Sequence, residues 1–154
     1  MENLLYKSQQ LIRNVDISFK RYLHDEIDWE ERLVIIKGAR GSGKTTLMLQ
    51  HIKEKIKEDV MYLSLDDIYF SQNRLVDVAE DFVKEGGKFL FVDEAHKYPH
   101  WAREIKNIYD TNKELKVVVS GSSIIEIDKG EADLSRRAVK YTLHELSLRE
   151  YLQL

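Results

Sequence analysis

Residues 33–46 read LVIIKGARGSGKTT. An apolar, β-branched run leads into three closely spaced glycines, and helix-forming residues follow them. Residues 38–45 match the pattern G-x-x-x-x-G-K-[ST], the P-loop or Walker A motif. A strand, a glycine-rich turn and a helix form the context in which this pattern binds phosphate. The sequence therefore predicts a nucleotide site, and the alternative is a strand-to-helix turn that binds no ligand.

Each residue type in this motif has a physical role in holding phosphate. Glycines let the backbone turn tightly and approach a ligand closely, and successive N–H groups form an anion-binding nest at a helix N-terminus. Lys44 should reach the β- and γ-phosphates, and the Thr45 hydroxyl should bind Mg²⁺. The predicted nucleotide-binding residues are Gly38, Ala39, Arg40, Gly41, Ser42, Gly43, Lys44, Thr45 and Thr46.

Composition favours a soluble globular domain. The 154 residues are 43% hydrophobic and 33% charged, which is enough for one domain with a core. A net charge of −3 gives no basic surface for nucleic acid. The sequence has no cysteine, which excludes disulfides and thiolate chemistry. No apolar run is long enough to span a bilayer, so we expect a cytoplasmic protein without a membrane partner.

Four further apolar runs predict strands, at residues 60–64, 88–92, 116–123 and 138–143. Helical periodicity lies between them, at about 45–57, 74–85, 101–109 and 147–152. This alternation predicts an α/β fold with a mostly parallel five-stranded sheet and right-handed crossovers, covered by helices on both faces. Ligands of such sheets bind beyond the carboxyl ends of the strands.

The N-terminal segment has the periodicity of a helix over residues 4–24, with room for one break. We expect it to cover the core, and a partner-binding helix is the alternative. Residues 1–30 are thus predicted as an N-terminal helical segment and residues 31–154 as the nucleotide-binding domain. Asp66 and Asp67 follow the second strand, and we expect them to cap the next turn; the alternative is that they face the nucleotide site.

The third strand ends in a pair of acidic residues, Asp93 and Glu94. At the carboxyl edge of the sheet, Asp93 can hold Mg²⁺ through its water shell. Glu94 can orient or deprotonate the attacking water. A strand that merely ends in two carboxylates is the alternative.

The fourth strand has a polar tip with Ser120 and Ser122. A hydroxyl at the end of a strand next to the P-loop can sense the γ-phosphate or align the water. Ser120 is the first candidate and Ser122 the second, and a turn closed by small residues is the alternative.

The sequence resembles prokaryotic AAA-type ATPases that join a P-loop domain to a C-terminal domain of unknown function. The resemblance covers most of residues 30–152. Its motifs are GARGSGKTTLMLQ at 38–50, FLFVDEAHKYPHWAREIKNIYD at 89–110, KVVVSGSS at 116–123 and YTLHELSLREYL at 141–152. The resemblance implies the strand order 5-1-4-3-2, with ATP and Mg²⁺ as ligands.

The resemblance also implies roles for single residues. Lys44 and Thr45 match the phosphate and metal residues, and Asp93 and Glu94 match the acidic pair. Arg137 falls where the family carries an arginine, which can act as a finger in the site of a neighbouring copy within a homo-oligomer. The alternative for this arginine is a surface ion pair with Glu131 or Asp133.

Three features depart from the family pattern. Members usually continue past the position where this sequence ends, which suggests a domain without the C-terminal region. Ala39 stands where proline is common, which should have little consequence. His96 stands where glutamine is frequent, and we expect it to pack or hydrogen-bond near the site, not to act as a base.

These features favour hydrolysis of Mg-ATP by water that Glu94 activates. A nucleotide-binding module or fragment with negligible turnover is the second hypothesis. The residues DEAH at 93–96 also spell a helicase box, but helicases need a second such domain and a basic surface. A small-molecule kinase would need an acceptor pocket and an arginine-rich lid, and the sequence clearly supplies neither.

Overall fold

The computed structural model describes residues 1–122, 134 and 136–154. Its centre is a parallel sheet in the order β2-β3-β4-β1-β5, which confirms the predicted α/β fold and the order 5-1-4-3-2 read from the other edge. The strands are β1 (Leu33–Lys37), β2 (Val60–Ser64), β3 (Phe89–Asp93), β4 (Lys116–Gly121) and β5 (Val139–Thr142). Ser123, Glu131 and Asp133, named above, lie outside the described residues.

Helices separate most of the strands along the chain. They are α1 (Glu2–Asn14), α2 (Leu23–Glu26), α3 (Lys44–Lys55), α4 (Leu75–Lys84), α5 (Trp101–Thr111) and α6 (Leu148–Tyr151). Short 3₁₀ turns cover Ile68–Ser71 and Ala95–Lys97. No helix in the described part of the chain is long and apolar enough to cross a membrane.

The sheet has a hydrophobic core on each face. In β1, Leu33 and Ile35 belong to the cluster that includes residues of α4 and α5. Val34 and Ile36 belong to the cluster that includes residues of α3. Successive side chains of a strand point to opposite faces, so a strand buried on both sides is a nearly continuous apolar run.

The predicted helix over residues 4–24 is broken in the middle. Helix α1 ends at Asn14, residues 15–22 are not helical, and α2 begins at Leu23. Two side chains of α3 bind carbonyl oxygens in and next to the break: Gln50 donates to Asp16 and Phe19, and Lys53 to Arg13 and Val15. These tertiary hydrogen bonds replace the i to i+4 bonds that a continuous helix would make.

Helix α1 covers the edge of the sheet. The backbone N–H of Tyr62 in the edge strand β2 donates to the Ser8 hydroxyl at 2.8 Å, and both groups are buried. An unpaired strand edge is a template for aggregation, and covering it with a helix removes that risk. The prediction that the N-terminal helix covers the core is therefore confirmed for α1.

The cap predicted after the second strand is confirmed at Asp67, and a second cap begins α6. The Asp67 carboxylate accepts a hydrogen bond from the Tyr69 N–H at 2.9 Å and begins the 3₁₀ turn after β2. Ser147 and Glu150 form a capping box at the start of α6.

Candidate functional site

The predicted site residues meet at one edge of the sheet. Lys37 ends β1 and leads into the glycine-rich loop, Asp93 ends β3, and Gly121 ends β4. Because these three strands are parallel neighbours, their carboxyl ends lie side by side. The loop and the acidic pair are therefore adjacent, although about fifty residues separate them in the sequence.

The loop of residues 38–45, hereafter the P-loop, needs its glycines for two different reasons. Gly41 and Gly43 have φ angles of 80° and 99°, in the left-handed region that glycine adopts without steric cost. Gly38 instead lies against the backbone, because a Cβ there would collide with the carbonyl oxygen of Leu143. A larger residue at Gly38 would thus separate the P-loop from the end of β5.

Lys44 is folded back onto its own loop. Its Nζ donates to the carbonyl oxygens of Gly38 at 2.8 Å and Ala39 at 2.9 Å, and the residue is buried. Burial lowers the pKa of Lys44, while the charges of Asp93 and Glu94 act in the opposite direction. The ammonium group is thus held at the P-loop by backbone oxygens, from which it can turn towards a phosphate.

Helix α3 begins at Lys44 with free hydrogen-bonding capacity. Gly43 occupies the N-cap position, and none of the described side chains caps this terminus. The first N–H groups of a helix have no intrahelical partner and carry the positive end of its dipole. This terminus is therefore suited to bind an anion.

Asp93 is the centre of the acidic side. Its Oδ2 accepts hydrogen bonds from the hydroxyls of Thr45 and of Tyr62, the latter at 2.5 Å. Its Oδ1 accepts from the Ser120 hydroxyl and, at 2.9 Å, from the Glu94 N–H. The buried carboxylate thus has four donors, which fix its orientation.

The direct contact between Thr45 and Asp93 fits a Mg²⁺ site. A hydroxyl and a carboxylate are hard oxygen ligands, and Mg²⁺ is commonly held by one or two carboxylates, several waters and substrate phosphates. No group of three or more acidic or histidine side chains able to hold a metal occurs among the described residues. Thr45 and Asp93 would supply two oxygen atoms to such an ion, and waters and phosphate oxygens would complete its shell.

Glu94 differs from Asp93 in its backbone conformation and in the exposure of its side chain. It has a φ of 55° in the left-handed region, which non-glycine residues rarely adopt, and it begins the 3₁₀ turn of residues 95–97. Its side chain is 32% exposed, and its Oε2 lies 3.5 Å from His96 Nε2. Rare backbone conformations of this kind occur preferentially at functional sites.

His96 hydrogen-bonds beside the acidic pair, as predicted. The Ser122 N–H donates to its Nδ1 at 3.1 Å, and the Ser122 hydroxyl lies 3.0 Å from its Nε2. Ser122 thus contacts His96, whereas Ser120 contacts Asp93. The tip of β4 reaches both parts of the acidic side.

Two clefts flank the P-loop. A cleft of about 530 Å³ contains the acidic side and is lined by residues that include Arg40, Thr45, Asp93, Glu94, His96 and Ser122. A second cleft of about 540 Å³ lies on the other side and is lined by residues that include Phe19, Arg40, Thr46, Leu47, Gln50 and Leu146. The P-loop is thus accessible from both sides.

Arg21 and Tyr62 are two site residues that sequence reasoning missed. Tyr62 is buried in the apolar strand β2. A tyrosine in such a strand is a signal that the sequence does carry, because its buried hydroxyl needs a hydrogen-bond partner. Burial and the adjacent Asp93 raise the pKa of Tyr62, so its hydroxyl keeps its proton as a donor. Arg21 comes from the segment predicted as helical, and its guanidinium donates to the carbonyl oxygen of Ser42 in the P-loop.

Arg21 also connects the P-loop to the end of the chain. It donates to the His144 carbonyl at 2.5 Å and to the Glu150 carboxylate at 2.8 Å. Burial alone would raise the pKa of Glu150, but hydrogen bonds from Arg21, the Tyr22 N–H and Ser147 hold it at about 2. Glu150 is therefore ionised at neutral pH and pairs with the arginine.

Arg137 lies away from the other predicted site residues. It lies two residues before β5, at the amino end of the sheet, and its guanidinium pairs with Asp110 near the end of α5 at 3.0 Å. The P-loop lies at the opposite end. Arg137 therefore lies away from the nucleotide site of its own chain, and among the described residues it pairs with Asp110.

Known proteins resemble this chain in sequence. It is 31% identical over 136 residues to the uncharacterized protein MJ1637 of Methanocaldococcus jannaschii, which covers 81% of the chain and 28% of that protein. It is 25% identical to the uncharacterized protein MJ1544 of the same organism, over 99% of the chain and 34% of that protein. The chain thus spans about a third or less of these relatives' length.

Solved structures and a protein-family model agree on the fold. The Walker-type ATPase PABY2304 of Pyrococcus abyssi superposes with a TM-score of 0.60 at 14% identity, over 86% of this chain and 55% of that one. PCH-2 of C. elegans gives a TM-score of 0.53 at 17% identity, over 93% of this chain and 41% of that one. The model of the family AAA_14, described as an AAA domain, matches residues 30–152. With its P-loop sheet and these matches, the chain belongs to the AAA domain family, as an AAA-type P-loop ATPase domain.

Proposed function

We propose that this domain binds Mg-ATP at the P-loop and hydrolyses it with Glu94 as the general base. The observation that carries the proposal is the direct contact of Thr45 with Asp93 in an open cleft that Glu94 also lines. Lys44, the residue before Thr45, is held at the P-loop next to this cleft. A phosphate-binding loop, two oxygen ligands for a metal and a free carboxylate are the parts that phosphoryl transfer to water requires.

The P-loop side would bind the phosphates. Lys44 would turn from its backbone oxygens to the β- and γ-phosphates, and the uncapped start of α3 would receive a phosphate oxygen. The second cleft, which contains the apolar side chains of Phe19, Leu47 and Leu146, would receive the nucleoside. Its apolar lining suits the face of a base.

The acidic side would carry the metal and the chemistry. Thr45 and Asp93 would hold Mg²⁺, which supplies positive charge to the phosphate oxygens. Ser120 and Tyr62 would keep the Asp93 carboxylate in place. Water then attacks the γ-phosphorus, the bond to the β,γ-bridging oxygen breaks, and the water proton passes to the Glu94 carboxylate. The products are ADP and inorganic phosphate.

Arg137 would act only on the site of a second copy. Its place at the amino end of the sheet supports a role in trans, and a homo-oligomer would bring it to a neighbour's γ-phosphate. If this is right, phosphate release per chain rises with protein concentration, and an Arg137→Ala variant loses that rise. A rate per chain independent of concentration would contradict the trans role.

Phosphate release by the wild type, by Glu94→Gln and by Glu80→Gln tests the proposal. Glutamine cannot accept the proton, so we expect Glu94→Gln to lower kcat by roughly 10²- to 10⁴-fold and to keep its affinity for Mg-ATP. Glu80 pairs with Lys84 on the exposed surface of α4 and serves as the matched control, which should keep the wild-type rate. Wild-type phosphate release no higher than that of Glu94→Gln would contradict hydrolysis.

Nucleotide binding without turnover is the second candidate. It is favoured by the share of its relatives that the chain spans, 28% and 34%, because groups that complete catalysis can lie in the remaining parts of such proteins. Calorimetry with a slowly hydrolysed ATP analogue and Mg²⁺ separates the two functions. Micromolar binding without phosphate release would support a binding module.

A further inference from the structure

We infer that His96 is a positioning residue, which holds the Glu94 carboxylate and connects it to Ser122 at the tip of β4. The inference deepens the proposed hydrolysis and rests on it. It assigns no proton transfer to His96: the imidazole acts on the reaction only through the orientation of Glu94.

The hydrogen bonds of His96 determine its tautomer. A backbone N–H is always a donor, so the Ser122 N–H makes Nδ1 of His96 the acceptor. The proton of the neutral imidazole then lies on Nε2, which faces both the Ser122 hydroxyl at 3.0 Å and Glu94 Oε2 at 3.5 Å. Glu94 therefore lies against the donor edge of the ring, which it shares with the Ser122 hydroxyl, while the Ser122 N–H holds the opposite edge.

Glu94 needs such a partner. Its side chain is 32% exposed, and among the described residues its carboxylate has a polar contact with the His96 ring at 3.5 Å. A general base must lie within hydrogen-bond reach of the water it deprotonates, and an exposed carboxylate with one weak contact has several rotamers available. The hydrogen-bonded imidazole, whose side chain is 10% exposed, gives the carboxylate a fixed neighbour.

The tip of β4 therefore controls both acidic residues. Ser120 donates directly to Asp93, and Ser122 reaches Glu94 through His96. The two serines are two positions apart on one strand end, which lies beside β1 and its P-loop. A shift of this strand end on nucleotide binding would move the metal-binding carboxylate and the general base together.

Glutamine is the conservative substitution for this role. Its side-chain oxygen can accept from the Ser122 N–H, and its NH₂ group can donate to the Ser122 hydroxyl or to the Glu94 carboxylate. Alanine retains neither bond. A comparison of His96→Gln with His96→Ala therefore separates the hydrogen bonds from the imidazole itself, which a base or an acid would need.

The test measures kcat for phosphate release and the Kd of a slowly hydrolysed ATP analogue with Mg²⁺. The proteins are the wild type, His96→Ala, His96→Gln, Glu94→Gln and the double variant His96→Ala/Glu94→Gln. His100→Asn is the matched control, because His100 is exposed, lies outside the cleft and has a φ of 64° that asparagine tolerates. Thermal unfolding accompanies each variant, and His96→Met replaces His96→Ala if the alanine variant does not fold.

We expect His96→Ala to lower kcat by roughly 10- to 100-fold, because a misplaced reacting group costs about that much. The Kd should change by less than about threefold, and His96→Gln should recover most of the lost rate. The double variant should be no slower than Glu94→Gln alone, since His96 acts through Glu94. His100→Asn should match the wild type.

Several results would overturn the inference alone. They are a wild-type kcat for His96→Ala, equal losses in His96→Ala and His96→Gln, or a loss in the double variant that multiplies the two single losses. Each applies when the wild type turns over and Glu94→Gln is slowed as expected. A wild type without turnover, or a Glu94→Gln variant as fast as the wild type, would instead overturn the proposed function and this inference with it.

Discussion

The P-loop side and the acidic side of the candidate site hold opposite charges through different kinds of contact. On the P-loop side, the cation of Lys44 lies on carbonyl oxygens of Gly38 and Ala39, which belong to its own loop. On the acidic side, the anion of Asp93 accepts donors from separate elements, including Tyr62 of β2 and Ser120 of β4. The first side is self-contained, whereas the second depends on how the strands are assembled.

This difference indicates how each side should respond to change. A substitution in the sheet should disturb the acidic side and leave the P-loop able to bind phosphate. A substitution in the P-loop should remove binding and leave the acidic side assembled. Thr45 joins the two sides, since it belongs to the P-loop and donates to Asp93.

Lys44→Ala should have the largest effect and should be confined to binding. Loss of a charged hydrogen-bond donor to the phosphates should weaken nucleotide affinity by roughly 100-fold. Calorimetry with ATP and ADP measures it, with the exposed Lys113→Ala as control. A Lys44→Ala protein that binds as tightly as the wild type would place the phosphates elsewhere.

Acidification should lower the free energy of unfolding through a histidine of α3 that lies outside the candidate site. His51 of α3 is buried and stacks on Trp29, with ring centroids 3.9 Å apart. Burial, followed by the charges of His24 and Lys55, lowers the pKa of His51 to about 4 from 6.5. Between these two pKa values, His51 binds a proton in the unfolded chain but not in the folded chain. The contribution of neutral His51 to the free energy of unfolding is therefore full above pH 6.5 and falls towards pH 4.

The free energy of unfolding should therefore drop by about 2 kcal/mol from pH 7 to pH 5 on account of His51. Urea unfolding at the two pH values measures it. In His51→Phe, whose ring is of similar size and does not titrate, this part of the drop should disappear. An unchanged pH dependence in that variant would show that other groups are responsible.

Tyr62→Phe should weaken the acidic side without affecting the P-loop. It removes one donor to Asp93 and should lower the free energy of unfolding by about 1.5 kcal/mol, while affinity for Mg²⁺-free nucleotide stays the same. Urea unfolding and calorimetry measure the two quantities, and Tyr6→Phe is the exposed control. Equal losses of Mg²⁺-free and Mg²⁺-bound affinity would mean that the two sides are not independent.

Arg21→Gln should have the smallest effect on nucleotide affinity, because Arg21 lies outside the P-loop and contacts it through one carbonyl oxygen. Loss of the hydrogen bond to the Ser42 carbonyl should weaken nucleotide affinity by roughly fivefold, the equivalent of one ordinary hydrogen bond. Arg13→Gln, at an exposed position of α1, is the control. If affinity stays at the wild-type value, the P-loop needs no support beyond its own residues.

The sequence predicted the sheet because its signals are local and repeated. Apolar runs alternate with helical periodicity, and the pairings of β1 with β4 and β5 follow the predicted order. The break over residues 15–22, for which the prediction left room, has a tertiary cause, since Gln50 and Lys53 bind the carbonyl oxygens of that region. Periodicity records which face is apolar, but it does not record side chains from elsewhere that compete for the backbone.

The same distinction between local and tertiary features applies to the candidate site. The P-loop could be read from eight consecutive residues, because glycine conformations and the reach of one lysine are properties of a short segment. The contacts of Tyr62 and Arg21 could not be read from the sequence. The partner of Tyr62 lies 31 residues away, and the partners of Arg21 lie 21 or more residues away. Which hydroxyl meets which carboxylate depends on the strand order.

The sequence by itself determined the α/β class, the P-loop and the acidic pair Asp93 and Glu94, because each follows from a local pattern of glycines, charges and apolar runs. The tertiary structure alone decided that four donors surround Asp93, and that His96 lies between Ser122 and Glu94. The physical reason is that parallel strands bring distant segments to one edge of the sheet, where side-chain contacts depend on the relative placement of neighbouring strands.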